Sequence, residues 1–228
     1  MAVQHTKRTV AGKMDRIPET ELMDDPAQAL AYARADFEQP HNQFIEQFRA
    51  RFTDWSGNGY VLDLGCGPGD ICRRFAQAFP GVQIHGVDAA VAMLQIGRED
   101  LREAGLARRV ELFKGYLPGA MLPREQYDAV ISNSLLHHLH EPLALWQSVL
   151  RHAAPGAPVF IMDLRRPETR EQALELVEHY AAGEPDLLRA DFRNSLLAAY
   201  RIDEIDAQLH TAGIDWLHLQ MLGDRHIV

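Results

Sequence analysis

The sequence lacks the long apolar runs and the many cysteines that mark several classes of protein. No hydrophobic stretch among its 228 residues reaches the roughly 18 to 20 residues that span a bilayer. No apolar block follows the basic start MAVQHTKRTVAGKMDR, so the pattern predicts neither a signal peptide nor an anchor. Cys66 and Cys72 are too few for a disulfide framework or for the paired ligands of a zinc site. We therefore expect a soluble, cytoplasmic protein with no membrane partner and no metal.

An excess of positive charge is also lacking. The net charge is −9 and the isoelectric point is about 5.6, so the surface as a whole repels a phosphate backbone. The exception is a leader, residues 1–18, whose basic residues could form a nucleic-acid arm: Lys7, Arg8, Lys13 and Arg16. A solvated, flexible leader is the simpler interpretation because chain ends are usually loose. We therefore expect no nucleic-acid partner.

From residue 60 onward, short β-rich runs alternate with helical patterns. This alternation predicts an α/β fold with a doubly wound, mostly parallel sheet and helices on both faces. Several of the runs are almost continuously apolar, as in strands that are covered on both sides. The predicted strands are residues 60–64, 82–87, 110–114, 128–133 and 158–163.

Two helical segments lie outside the alternation. Residues 19–52 and 167–200 carry apolar side chains at helical spacing, and we predict that both form a cover over the carboxyl ends of the strands. The predicted organisation is a single domain over residues 19–228. It contains a cofactor-binding core at 60–165 and a C-terminal helix and strand hairpin at 203–228.

The most informative stretch is YVLDLGCGPGD at residues 60–70, in which an apolar strand runs into three glycines at alternate positions. A glycine-rich turn alone is shared by many nucleotide sites. Here the spacing is G-x-G-x-G rather than G-x-G-x-x-G, and Asp63 and Asp70 bracket the loop, with Asp70 placed to cap the next helix. Two carboxylates repel a pyrophosphate but attract an ammonium or a sulfonium, and S-adenosylmethionine carries both.

A further acid, Asp88, ends the second predicted strand. A carboxylate at this place can accept hydrogen bonds from both hydroxyls of a ribose. The alternative interpretation is that Asp88 caps the helix that follows, and the two roles are compatible.

Together these segments resemble the class I, Rossmann-like S-adenosylmethionine-dependent methyltransferases. The order and the spacing of the segments match as well as their letters, over about residues 60–165. The matching segments are VLDLGCGPGD (61–70), GVDAAVAML (86–94), KGYLP (114–118), YDAVISNSLLHHL (127–139) and PVFIMDLRRP (158–167). The resemblance implies a seven-stranded sheet whose last, antiparallel strand belongs to a hairpin formed by residues 216–222 and 225–228.

The resemblance also implies a binding site for S-adenosylmethionine. Gly65 and Gly67 should face the methionine part with Asp63 and Asn133 nearby, and Asp88 should hold the ribose. The whole implied set is Asp63, Gly65, Cys66, Gly67, Asp88, Ala89, Met93, Tyr116, Leu117 and Asn133, of which Ala89 and Met93 should flank the adenine. Tyr116 is a departure, because many relatives carry an acid there that meets the adenine amino group.

Methyl transfer from a sulfonium depends mainly on aligning the donor with the acceptor and on excluding water, so a catalytic triad is not required. His138, which follows the fourth strand with His137 and His140, is the candidate base, although a histidine there can equally hold a loop. Arg165 and Arg166 close the fifth strand and could pair with an anionic group of the acceptor, or simply form surface ion pairs. Tyr32 is a further candidate for the substrate or cofactor wall.

We therefore predict methylation of a small-molecule acceptor by in-line displacement, mainly through proximity and orientation. The fourth strand ends in residues 133–136, which read NSLL rather than the N-P-P-Y type of loop. That argues against DNA and glutamine side chains as acceptors. Three alternatives stay open: a nicotinamide dehydrogenase, a protein that binds S-adenosylmethionine without methylating, and a tRNA methyltransferase.

Overall fold

Five parallel strands and a short antiparallel hairpin form one seven-stranded sheet with the order β3-β2-β1-β4-β5-β7-β6. The computed structural model describes residues 14–19 and 24–228. The strands are β1 (Asn58–Leu64), β2 (Gly81–Asp88), β3 (Val110–Lys114), β4 (Ala129–Asn133), β5 (Val159–Leu164), β6 (Met221–Leu222) and β7 (His226–Ile227). The predicted doubly wound α/β fold is confirmed, and the final hairpin is shorter than expected.

Helices connect the strands and extend beyond them. They are α1 (Pro26–Arg34), α2 (Glu38–Arg51), α3 (Asp70–Ala78), α4 (Val91–Glu103), α5 (Leu143–His152), α6 (Arg170–Ala181), α7 (Asp186–Ala198) and α8 (Ile202–Ala212), with a 3₁₀ turn at Leu136–His138. None of the helices in the described ranges is long and apolar enough to cross a membrane.

Helices cover both faces of the sheet. Neighbouring residues of β1 point to opposite faces, so they pack into different clusters. Val61 packs into the cluster that contains side chains of α2, α3 and α4. Leu62 packs into the cluster that contains side chains of α5 and α8. In the sheet, β2 lies on one side of β1 and β4 on the other, so the strand order reverses at β1. A crevice opens at the carboxyl end of β1 where this reversal occurs.

Helix α2 has a different role from the one that we expected for the whole of residues 19–52. Phe44 and Phe48 are fully buried, and Phe44 lies 4.8 Å from the ring of Phe160 in β5. Phe48 packs against Phe75 at the same ring separation of 4.8 Å. The C-terminal part of α2 is therefore core, and only its beginning reaches the crevice.

Residues 14–18, the described part of the predicted leader, lie against the core. Arg16 donates hydrogen bonds to the backbone oxygens of Ala198 at 2.5 Å and His137 at 2.8 Å, and its guanidinium stacks on the ring of Tyr200. The other basic residues of that prediction, in residues 1–13, lie outside the described residues.

Candidate active site

A cavity of about 670 Å³ occupies the crevice at the carboxyl ends of β1, β2 and β4. All ten residues of the implied cofactor site lie in its wall: Asp63, Gly65, Cys66, Gly67, Asp88, Ala89, Met93, Tyr116, Leu117 and Asn133. Tyr32 and His138 line it as well. The structure therefore brings together residues that are spread over almost half of the sequence.

The glycine loop between β1 and α3 is held against the end of β2. The backbone N–H groups of Gly65 and Cys66 donate to the carbonyl of Val87 at 2.8 and 3.1 Å. Gly65 has a φ of +72°, and a Cβ there would lie 2.6 Å from the side chain of Leu135. Gly67 has a φ of +51° and no heavy atom near its would-be Cβ, so its backbone is open to the cavity.

Asp88 supports the loop and the turn that leads into α4, whose N-cap is Ala90 and not Asp88. One oxygen, Oδ2, accepts the N–H of Gly67 at 2.8 Å, and Oδ1 accepts the N–H of Ala90 at 2.8 Å, just before α4 begins. Burial raises the pKa of this carboxyl group, although these backbone hydrogen bonds oppose the shift. An ionised carboxylate has about four acceptor sites, so two remain for ribose hydroxyls.

Asp63 is buried beneath the loop. Its Oδ2 accepts a weak hydrogen bond from Sγ of Cys72 at 3.1 Å. Burial raises the pKa of Asp63 to about 7, so the group is poised between its neutral and its ionised form near neutral pH. A cationic ligand in the cavity would favour the ionised form.

Asp70 differs from the sequence expectation in two ways. The N-cap of α3 is Gly69, with a φ of +76°, and Asp70 is the first helical residue. The carboxylate is paired with His41 at 2.7 Å and also with Arg73 and Arg74. Although burial alone would raise the pKa of Asp70, the hydrogen bonds of His41, Arg74 and Arg73 hold it well below its ordinary value. Asp70 is therefore engaged by partners within the protein and is not a free acid facing the loop.

The end of β4 carries an unsatisfied polar atom. Oδ1 of Asn133 is buried and has no hydrogen-bond partner among the described residues. The next residue, Ser134, has a φ of +56°, a left-handed conformation that is uncommon outside glycine. A buried acceptor at a cavity wall calls for a donor from a ligand. This acceptor, the open backbone at Gly67 and the carboxylate of Asp88 together fit an amino acid joined to a nucleoside.

The region expected to hold the adenine is apolar. Ala90 and Met93 are almost fully buried and form a small cluster with Tyr32. Tyr116, which stands where many relatives carry an acid, is 60% exposed. An adenine here would therefore meet apolar groups and backbone rather than a carboxylate of that position.

A second cavity, of about 570 Å³, adjoins the first. Asn133, Ser134 and His138 line both cavities. The remaining wall comes largely from the beginning of α2 and from α6 and α7, including Phe37, Tyr180, Leu188, Phe192 and Ser195. The residues predicted as a helical cover thus enclose space beside the expected cofactor position.

A carboxylate that sequence reasoning missed lies next to His138. Oε2 of Glu19 is 2.6 Å from Nδ1 of His138. The adjacent His137 is paired through its own Nδ1 with Oδ1 of Asp163 at 2.6 Å and is buried. Burial alone would lower the pKa of His137, but the charge and the hydrogen bond of Asp163 raise it. His137 is therefore held in place by Asp163 and lines only the second cavity, whereas His138 lines both cavities.

Glu19, His137 and His138 are also the described residues with the spacing to hold a metal ion, because their ligand atoms lie within 4.8 Å of one another. In the structure, Nδ1 of His138 is engaged by Glu19 and Nδ1 of His137 by Asp163.

The two arginines predicted to face the acceptor lie elsewhere. Arg166 is 1% exposed, and its guanidinium donates to the backbone oxygens of Met14 and Ala199 and pairs with Glu204. Arg165 pairs with Glu168 at 2.6 Å. Neither arginine lines the first or the second cavity. The bonds of Arg166 connect the N-terminal segment and α8 to the end of β5.

A doubly wound sheet with a glycine loop after β1 and an acid at the end of β2 defines a Rossmann-like nucleotide-binding domain. Comparisons with known proteins narrow the class. Residues 61–156 match the family model described as a methyltransferase domain. The chain is similar to trans-aconitate 2-methyltransferase from Delftia acidovorans, with 30% identity over 126 residues that cover 55% of this chain and 44% of the relative.

Two further likenesses agree with this class. Release factor glutamine methyltransferase from Gloeobacter violaceus is 31% identical over 116 residues, which cover 50% of this chain and 40% of the relative. A solved SAM-dependent methyltransferase from Aquifex aeolicus has the same fold, with a TM-score of 0.63 and 20% identity, over 89% of this chain and 95% of that one. The matched part is less than half of the length of these two curated relatives.

Residues 61–156 are thus similar to methyltransferase domains, which supports the resemblance to the class I S-adenosylmethionine-dependent methyltransferases. These likenesses favour a methyltransferase over the nicotinamide dehydrogenase among the alternatives.

Proposed function

We propose that the protein transfers the methyl group of S-adenosylmethionine, held in the first cavity, to a small molecule held in the second. The single observation that carries this proposal is the common wall: Asn133, Ser134 and His138 line both cavities. Because the two cavities adjoin at these residues, a donor in the first and an acceptor in the second would meet there, and their alignment is the main requirement of in-line displacement.

Different residues of the first cavity would bind different parts of the cofactor. Asp88 would accept the ribose hydroxyls, and Oδ1 of Asn133 with the carboxylate of Asp63 would accept the ammonium of the methionine part. The apolar surface of Ala89 and Met93 would flank the adenine. The cofactor itself supplies a methyl group on a positively charged sulfur that leaves as a neutral thioether. The carboxylate of Asp63 and the partial negative charge on Oδ1 of Asn133 would both be complementary to the positive charge of the bound cofactor.

His138 would serve as the base that removes the acceptor's proton. Its Nδ1 is engaged by Glu19, and this hydrogen bond favours the tautomer in which Nε2 is free to accept a proton. A base of this kind contributes about 10²- to 10⁴-fold to a reaction that involves proton transfer.

A small-molecule acceptor is supported by the enclosed second cavity and by the net charge of −9. The trans-aconitate relative is named for a small acceptor, and the release factor relative for a glutamine. In this chain the end of β4 reads Asn133-Ser134-Leu135-Leu136, without the prolines of loops that bind amide nitrogens.

Radiolabelled S-adenosylmethionine tests the proposal against its alternatives. The protein is offered a panel of small hydroxy, amino and carboxylic acids, in parallel with tRNA and with a glutamine-containing peptide. We expect transfer to a member of the small-molecule panel, strongly reduced in His138→Ala and unchanged in the surface control His210→Ala. Cofactor binding without transfer to any acceptor, or transfer only to tRNA or the peptide, would refute it.

A further inference from the structure

We propose that the acceptor carries a single carboxylate group and that Arg225 binds it in the second cavity. This inference rests on the proposed function and names the class of its substrate. Arg225 lies in the turn just before β7, and its side chain lines the second cavity although only 10% of its surface is exposed.

The guanidinium of Arg225 has a fixed orientation. Its central carbon lies 3.3 Å from the centroid of the Tyr180 ring, so the cation is stacked on an aromatic face. Tyr180 is itself fixed, because its hydroxyl donates to Asp224 at 2.9 and 3.0 Å from the two carboxylate oxygens. The backbone oxygen of Arg225 accepts the N–H of Arg165 at 2.7 Å, which ties the turn to β5.

Few of the N–H donors of Arg225 form close hydrogen bonds. A guanidinium has five N–H donors. Arg225 donates to Oε1 of Gln39 at 3.4 Å and pairs with Oδ1 of Asp224 at 3.7 Å, and both distances are longer than a strong hydrogen bond. The buried cation therefore has an aromatic face beside it but no anion at hydrogen-bond distance among the described residues, and an anion from a ligand would stabilise it.

Arg166 in the same protein is an arginine with a structural role, and its hydrogen bonds provide a comparison for Arg225. It is also buried, but its three nitrogens bind Met14, Ala199 and Glu204 at 2.5 to 3.1 Å, and it lines neither cavity. Arg225 is also buried, at 8% exposed against 1% for Arg166, but it lines the second cavity and has no such set of partners. A planar guanidinium matches a carboxylate through two parallel hydrogen bonds, which is why we assign a carboxylate to this position.

The rest of the cavity limits the number of negative charges. Among the described residues, Arg225 is the one lysine or arginine in its wall, whereas four carboxylates line it: Asp36, Glu38, Glu184 and Asp191. These acids would repel a second or third anionic group. The geometry therefore favours a monocarboxylate over a polycarboxylate, and an amine elsewhere on the acceptor would be tolerated.

Shape-matched probes test this assignment without knowledge of the natural acceptor. The protein saturated with S-adenosylhomocysteine is titrated with benzoate, benzamide and phthalate, and binding is followed by ligand-observed NMR. We expect benzoate to bind about ten-fold or more tightly than the neutral benzamide, since a hydrogen bond to a charged group has that worth. Phthalate, a dianion, should bind more weakly than benzoate.

Two variants and a control assign the effect to the residue. Arg225→Gln should remove the preference for benzoate over benzamide, and Arg225→Lys should keep part of it. Arg165→Gln, whose side chain pairs with Glu168 outside both cavities, should bind the probes like the wild type. Melting temperatures and S-adenosylhomocysteine affinities of all three variants show whether each is folded and loaded.

Equal affinity for benzoate and benzamide in the wild type would overturn the proposal, as would an unchanged preference in Arg225→Gln. Tighter binding of phthalate would overturn the limit to one anionic group. These outcomes are separate from a failure of the proposed function, which would show as absent S-adenosylhomocysteine binding or absent methyl transfer in the same preparations.

Discussion

Oε2 of Glu19 lies 2.6 Å from Nδ1 of His138, and this pair sits in the wall of the first cavity. Burial alone would raise the pKa of Glu19, but the hydrogen bond and the charge of His138 lower it. Glu19 therefore stays ionised near neutral pH and orients the imidazole. The other oxygen, Oε1, is buried without a hydrogen-bond partner among the described residues, so the carboxylate has little alternative to this contact.

Glu19→Gln should slow methyl transfer without weakening cofactor binding. The amide can still accept a hydrogen bond from Nδ1 but lacks the charge that stabilises a protonated imidazole, so we expect a rate reduction of about ten- to a hundred-fold. Glu19→Asp should recover part of the rate. Single-turnover kinetics and calorimetry with S-adenosylhomocysteine separate the two effects. Glu178→Gln, which alters an exposed pair with Arg189, serves as the control. An undiminished rate in Glu19→Gln would show that the pair only anchors the N-terminal segment.

Asp88→Ala should weaken cofactor binding while the domain stays folded. The substitution removes the acceptors of Gly67 and Ala90 as well as those proposed for the ribose, so both the loop and the ligand lose support. We expect a loss of about 1.5 to 3 kcal/mol in binding free energy. Calorimetry on this variant is compared with Asp100→Ala, an acid that pairs with Arg34 on the surface. Wild-type affinity in Asp88→Ala would limit Asp88 to its hydrogen bonds with Gly67 and Ala90.

Asp63 should make stability depend on pH in an unusual direction. Burial raises its pKa to about 7, above the ordinary value near 3.9. Between these two values the folded state binds more protons than the unfolded state, so the contribution of this group to stability falls as the pH rises. Asp63→Asn removes that dependence. Its free energy of unfolding relative to wild type should rise by at most about 3 kcal/mol between pH 5 and pH 8.

Urea unfolding of both proteins at several pH values, without cofactor, measures this difference. The same substitution should weaken S-adenosylmethionine binding at pH 8, where the wild-type carboxylate is ionised and can meet the ammonium. A relative stability that does not change with pH would contradict the elevated pKa. Unchanged affinity would mean that Asp63 is structural.

The sequence predicts the sheet from local signals, because apolar runs, the glycine spacing and the acid after β2 each lie within a short stretch of chain. The full set of ten residues for the cofactor site is implied by the resemblance to the family, and all ten line the first cavity. Asp70 was misassigned because α3 begins one residue earlier than expected, directly after Gly69, and the partners of Asp70 include His41 from α2.

Contacts between residues that are far apart in the sequence could not be predicted from local patterns. Glu19 reaches His138, and Arg225 reaches Tyr180, across segments whose relative position follows from the packing of helices and not from any sequence period. The arginines after β5 were assigned by proximity to a strand end. Arg166 points instead toward the backbone of Ala199, since the segment before α8 needs partners for its own carbonyl groups.

The enclosure of the second cavity leads to the last prediction, which concerns α1, α6 and α7. These helices provide Tyr32, Tyr180 and Phe192 to the cavity wall, and they should open to admit ligands. Their amide hydrogens should therefore exchange faster than those of β1 and β4 and slow down when S-adenosylhomocysteine is bound. Helix α2 provides an internal control, because the amides around the buried Phe48 belong to the core and should exchange slowly in both states. Hydrogen exchange followed by mass spectrometry resolves these segments. If ligand slows the glycine loop but leaves α1, α6 and α7 unchanged, these helices do not move over the site, and entry to the second cavity must lie on another side.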